Sequence, residues 1–108
     1  MSWTSLCDLD ELKEGEGKYV EIGGFQLAVF LHQEKVYATD NTCPHAGASL
    51  YGGIIHEGCV VCPWHGWMFQ LENGQLPNLP GVAIATYKTR VIQPDGKPKL
   101  VQADLPIY

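Results

Sequence analysis

The 108 residues suit one domain, 1–108, able to bury about 60 to 70 % of its unfolded surface. With 45 % hydrophobic and 18 % charged residues, the composition excludes a disordered chain, and no segment approaches the roughly 18 apolar residues of a membrane span. The net charge of −5 excludes a nucleic-acid footprint, which needs a basic patch.

The charge is unevenly spread. Residues 1 to 40 hold eight acids and three lysines, and residues 85 to 108 hold four basic residues and two acids. Between them, 41 to 84 carries Glu57 and Glu72 and no lysine or arginine. The acidic third reads as solvated surface, with a docking face for a basic partner as the sharper alternative.

The start, "MSWTSLCDLDELKEGEG", lacks the basic residues and apolar run of a signal peptide, so a cytoplasmic location is expected. In that reducing setting free thiols or metal ligands are favoured over disulfides, although a Cys7–Cys59 bond stays open. Within this start, "DLDELKEGEG" predicts one short helical turn capped by Asp8 and stopped by Gly15 and Gly17. Apolar runs and turn signals then alternate, which is an all-β pattern. "KYVEI", Gly23-Gly24 and "FQLAVFL" predict a hairpin with a two-residue turn. "HQEK" turns the chain into "VYATD". Further hairpins are expected about Glu57-Gly58, about Asn73-Gly74, and about Pro94 to Lys97. No internal repeat is evident.

Two of the four cysteines and two of the four histidines fall within "CPHAG" and "CPWH", as Cys43, His45, Cys62 and His65. One residue separates the first pair, two separate the second, and sixteen lie between. Two such loops, brought face to face by the hairpin at Glu57-Gly58, offer two thiolates and two imidazoles to one metal centre. Gly47 and Gly66 would let backbone N–H groups approach a buried sulfur, and Pro44 and Pro63 would stiffen the turns. Zinc accepts the same donor types, so a structural zinc site in an interaction module is the alternative. Against it, each loop mixes Cys with His, whereas the usual zinc finger groups them.

"CPHAG" followed by "CPWHGWMF" resembles the Rieske iron–sulfur fingerprint, and the resemblance extends over nearly the whole hairpin-rich chain. It implies a Rieske-type antiparallel β-sandwich with a small cluster-binding subdomain of two loops, drawn from about 41–84. It also implies one [2Fe–2S] cluster per chain, with Cys43 and Cys62 on the inner iron and His45 and His65 on the outer one. "LPNLPG" at 76–81 is similar to the family's proline loop over the cluster. Relatives of the cytochrome bc type carry a disulfide at the positions of Ala48 and Trp64, and hydroxyl donors at those of Trp67 and Phe69. Without those donors the potential is expected at the low end of the Rieske range, near or below about −150 mV.

Such a potential disfavours quinol oxidation. The resemblance therefore implies a monomeric electron carrier, not an enzyme by itself, like the ferredoxin components of ring-hydroxylating dioxygenase systems. Electrons would come from a flavoprotein reductase and go to a terminal oxygenase or reductase. The small subunit of an assimilatory nitrite reductase is the second reading. The charge-poor stretch supplies a docking surface, with Trp64, Leu50, Leu79 and Pro80 as candidate contacts. Cys7 and Cys59 read as buried thiols, His32 and His56 as solvated, and Trp67 and Phe69 as core if they share a face.

Overall fold

The computed structural model describes residues 2–43, 47–64, 66–77 and 79–106, with the backbone alone at 79 and 80. Among them the chain forms strands and two single-turn 3-10 helices, and every ladder is antiparallel. Four strands make the central sheet: β2 (Gly17–Ile22), β3 (Phe25–His32), β4 (Lys35–Asp40) and β10 (Thr86–Tyr87), in the order β10-β4-β3-β2. On one side lies a sheet of β1 (Ser2–Asp8), β12 (Leu100–Leu105) and β11 (Thr89–Ile92), ordered β1-β12-β11. On the other lie β5 (Ile55–His56), β6 (Cys59–Val61) and β7 (Met68–Gln70), with the pair β8 (Gln75–Leu76) and β9 (Leu79–Ala83).

The central sheet thus separates two cores, and β3 shows how. Side chains alternate across a strand, so Leu27 and Val29 join the core under β12, with Val101, Ala103 and Leu105. Ala28 and Phe30 point the other way, into a core with Cys43, Leu50, Val60, Cys62 and Phe69. All four of these β3 residues are completely buried. Burial on both faces explains why "LAVF" is continuously apolar, where a half-exposed antiparallel strand would alternate.

The turns follow the sequence expectation in most places. Ile22 pairs with Phe25 across Gly23-Gly24, and His56 pairs with Cys59 across Glu57-Gly58. His32 pairs with Lys35 across Gln33 and Glu34, at φ of 51° and 67°, a left-handed conformation that side chains disfavour. The Glu14 carboxylate secures that turn, its Oε2 accepting the Gln33 N–H at 2.9 Å. The helical turn is only Leu9–Glu11, and Glu11 reaches back to accept the Asp8 N–H at 2.8 Å.

One expectation is corrected, and one strand was not anticipated. The turn at Asn73-Gly74 forms, with the Gly74 N–H donating to Gln70 at 2.7 Å, but β8 pairs with β9 and not with β7. The apolar start Ser2–Asp8 is a strand, because β12 from the far end of the chain supplies its partner.

Candidate metal centre

The loops carrying the two cysteines are built alike. In the first, the Cys43 N–H donates to the Ala48 carbonyl at 2.9 Å, and the Gly47 N–H to the Cys43 carbonyl at 2.8 Å. In the second, the Cys62 N–H donates to the Trp67 carbonyl at 2.7 Å, and the Gly66 N–H to the Cys62 carbonyl at 3.0 Å. Gly47 and Gly66 share a φ of 72°, which lets the chain fold back within five residues. One step outward Thr42 faces Ser49, as Val61 faces Met68. One step further, Leu50 and Phe69 are both fully buried.

The described residues of 41–50 and 60–69 therefore follow one hydrogen-bonding pattern, a local repeat that sequence reading did not find. Its signal was present as Cys-Pro-x-x-Gly, at 43–47 and again at 62–66. The N–H groups of Gly47 and Gly66 are themselves engaged by the cysteine carbonyls, and both glycines supply the left-handed turn.

Cys43 and Cys62 are each 1 % exposed and belong to the same apolar core. Ionised sulfur buried among apolar side chains needs a bound cation to offset its lost hydration. Two buried sulfurs on loops of matched hydrogen bonding suit a thiolate-bound metal centre. His45 and His65 lie outside the described residues, as do Pro44 and Asn78. Among the described residues no group of three or more Cys, His, Asp or Glu gathers, so neither Cys59 nor Cys7 joins the pair.

Those two cysteines behave as buried thiols, and no disulfide joins them. Burial, reinforced by Glu11 and opposed by Lys18, pushes the Cys7 thiol up to about 11. Burial, with help from Glu57, raises that of Cys59. His56 is largely exposed, but His32 is not simply solvated: its Nδ1 lies 3.5 Å from Glu14 Oε2 with only 20 % of the side chain exposed.

Trp67 and Phe69 do pack on one core, with ring centroids 6.4 Å apart. Among the proposed docking contacts Trp64 is 66 % exposed, whereas Leu50 is fully buried and cannot touch a partner. The side chains of Leu79 and Pro80 lie outside the described residues. The stretch 76–81, read as similar to a proline loop, is largely strand among the described residues: Leu76 ends β8, Leu79–Ala83 forms β9, and Leu76 pairs with Leu79. Exposed Ile54 was not anticipated, because its apolar neighbourhood reads as strand.

With this geometry in view, comparison with known proteins gives a consistent result. The family model of the Rieske [2Fe-2S] domain matches residues 2–88. The chain belongs to the Rieske [2Fe-2S] domain family, and its cofactor is a Rieske-type [2Fe–2S] cluster. The ferredoxin component of the alkene monooxygenase system of Xanthobacter autotrophicus (strain ATCC BAA-1158 / Py2) is 28 % identical over 92 residues, covering 84 % of this chain and 75 % of that protein.

Among solved structures, the ferredoxin of carbazole 1,9a-dioxygenase from Nocardioides aromaticivorans IC177 is 32 % identical. It has a TM-score of 0.77 and covers 94 % of this chain and 97 % of its own. A chain from Mycobacterium tuberculosis, described as an NADH-dependent nitrite reductase small subunit, is 27 % identical with a TM-score of 0.84, covering 98 % and 97 %. The chain spans only 13 to 17 % of the length of several longer curated relatives that it matches.

Proposed function

We propose that this protein is a one-electron carrier whose cluster is held by Cys43 and Cys62 on one iron and by His45 and His65 on the other. The observation that carries the reading is the matched pair of hairpins, each presenting a buried cysteine within a loop that also bears a histidine. When bound, the cluster supplies reversible uptake of one electron. The chain's own part is to hold it and keep water out. Ala48, Leu50, Val60 and Phe69 form a dry floor beside Cys43 and Cys62, and Trp64 stands exposed next to position 65.

The donor would be a flavoprotein reductase and the acceptor a terminal oxygenase. Two relatives that are ferredoxins of oxygenase systems support this, and both are matched over most of their own length. The charge-poor stretch 41–84 would dock through Trp64 and Ile54. The role as small subunit of a nitrite reductase is kept as a second reading, favoured by the high structural likeness to the mycobacterial chain. A single domain, a monomer in the cytoplasm and a cluster-binding portion of about 41–84 complete the proposal.

The deciding experiment is an anaerobic optical redox titration of the purified protein, with metal analysis of the same sample. A Rieske spectrum bleaching near or below about −150 mV supports the carrier. A positive potential removes the low-potential argument, and a colourless zinc protein replaces the carrier with an interaction module.

A further inference from the structure

The two matched hairpins are closed differently at the neck. In the second, the ladder continues outward from Val61 and Met68 to Val60 and Phe69. In the first, pairing stops at the isolated bridge of Thr42 and Ser49, because the returning chain curls into the 3-10 turn Leu50–Gly52. The residue in the place of Val60 is Asn41, a polar side chain only 4 % exposed.

Asn41 keeps one backbone rung and adds a side-chain bond beyond it. Its carbonyl accepts the Leu50 N–H at 2.7 Å, and its side-chain Oδ1 accepts the Tyr51 N–H at 3.0 Å. Its own N–H donates to the Gln26 carbonyl at 2.9 Å, tying the clamp to the central sheet at the foot of β3. The first turn of any helix leaves N–H groups without intrahelical acceptors. Ser49, the residue at the local cap position, makes no side-chain cap bond. Asn41 thus caps this turn from ten residues away.

We propose that Asn41 is a positioning residue: its amide oxygen substitutes for strand pairing and fixes the loop that presents Cys43 to the cluster. The inference rests on the reading of Cys43 as a ligand. Leu removes the acceptor at similar volume and leaves the Tyr51 N–H without its side-chain partner, whereas Ser keeps a neutral side-chain oxygen able to accept from it.

The test compares holoprotein carrying Asn41→Leu or Asn41→Ser with the wild type, following cluster loss to a chelator and the electron paramagnetic resonance spectrum of the reduced state. Asn41→Leu is expected to lose its cluster about tenfold faster, the order expected for the loss of one hydrogen bond, with altered g values. Asn41→Ser keeps a neutral oxygen acceptor and should retain the wild-type spectrum and stay within about threefold of the wild-type rate. A wild-type lifetime and spectrum in Asn41→Leu, or equally fast loss from Asn41→Ser, overturns the proposal.

Should Asn41→Leu not fold, hydrogen exchange over residues 49–53 of the wild-type holoprotein decides. Protection of the Tyr51 amide supports the clamp, and free exchange removes it. A wild-type protein without a Rieske signal would instead defeat the carrier reading, an outcome visible before any variant is made.

Discussion

The two cores on either side of the central sheet are built on different terms. The one under β12 is closed by long ladders: β1 pairs with β12 from Ser2 to Asp8, and β2 pairs with β3 along its whole length. The one that holds Cys43 and Cys62 is closed by strands of two, three or five residues and by turns. Its order rests on particular hydrogen bonds, such as those of Asn41 and the paired cysteine loops, where the other core relies on repeated pairing. A metal-binding half made this way can present ligands on loops because the ladder-rich half supplies a rigid base.

The largest break in this comparison comes from the sulfurs themselves. Cys43→Ser and Cys62→Ser should each abolish or alter the Rieske absorption and resonance signals while β-type circular dichroism from the other half persists. Cys59→Ser should leave those signals intact; a protein that lost its cluster only on that change would have a different ligand set.

The shared strand offers the next test. Phe30→Ala should cost about 3–5 kcal/mol and Leu27→Ala about 2–5 kcal/mol. Only the first, on the cysteine side, should also hasten cluster loss. Equal effects on the cluster would mean that the two cores are not separable across β3.

A subtler change sharpens the comparison within the cysteine side. Trp67→Ser together with Phe69→Tyr should raise the midpoint potential, since hydrogen bonds to a charged acceptor are each worth about 1.5–3 kcal/mol. An unchanged potential in a folded double variant would remove the hydroxyl argument.

Smaller still are two changes far from the sulfurs. Glu14→Ala deletes the bond that secures the Gln33-Glu34 turn and should lower stability by about 1 kcal/mol, measured by urea unfolding, with an unchanged cluster spectrum. For Cys7 the titration has no effect at neutral pH and one that grows with alkali. Its thiol is raised from 9.0 to about 11, so the folded state holds its proton longer than the unfolded state does. That contribution is complete below pH 9 and is lost as the pH rises through about 11. Cys7→Ala should therefore flatten the alkaline fall in the urea midpoint; an equally steep fall would assign it to another group.

Hairpins with two-residue turns were legible in the sequence because the signal is local: Gly23-Gly24 and Glu57-Gly58 sit directly between the strands they join. Strand β1 was not, since nothing in "SWTSLCD" announces a partner about a hundred residues away. The run "TYKTRV" hid a corner. Thr86 and Tyr87 pair with β4, Thr89–Ile92 pair with β12, and Lys88 between them accepts the Asp104 N–H at 2.9 Å.

In the candidate site the cysteines stood out by type and spacing, and Trp64 by its place beside a histidine. Leu50 was misread as surface because apolar character alone does not say which way a residue faces. Asn41 escaped notice because its side-chain partner, Tyr51, lies ten residues on, and a lone Asn before a cysteine carries no pattern.

One consequence of the two-faced strand concerns how errors in folding are rejected. Sliding β3 by a single residue along its neighbours would deliver Phe30 to the side shaped for Val29 and Leu27 to the side shaped for Ala28. A strand with one wet face would tolerate part of such a mistake in solvent. Here both destinations are filled volumes, so a slipped chain is refused twice, once on each face of the sheet.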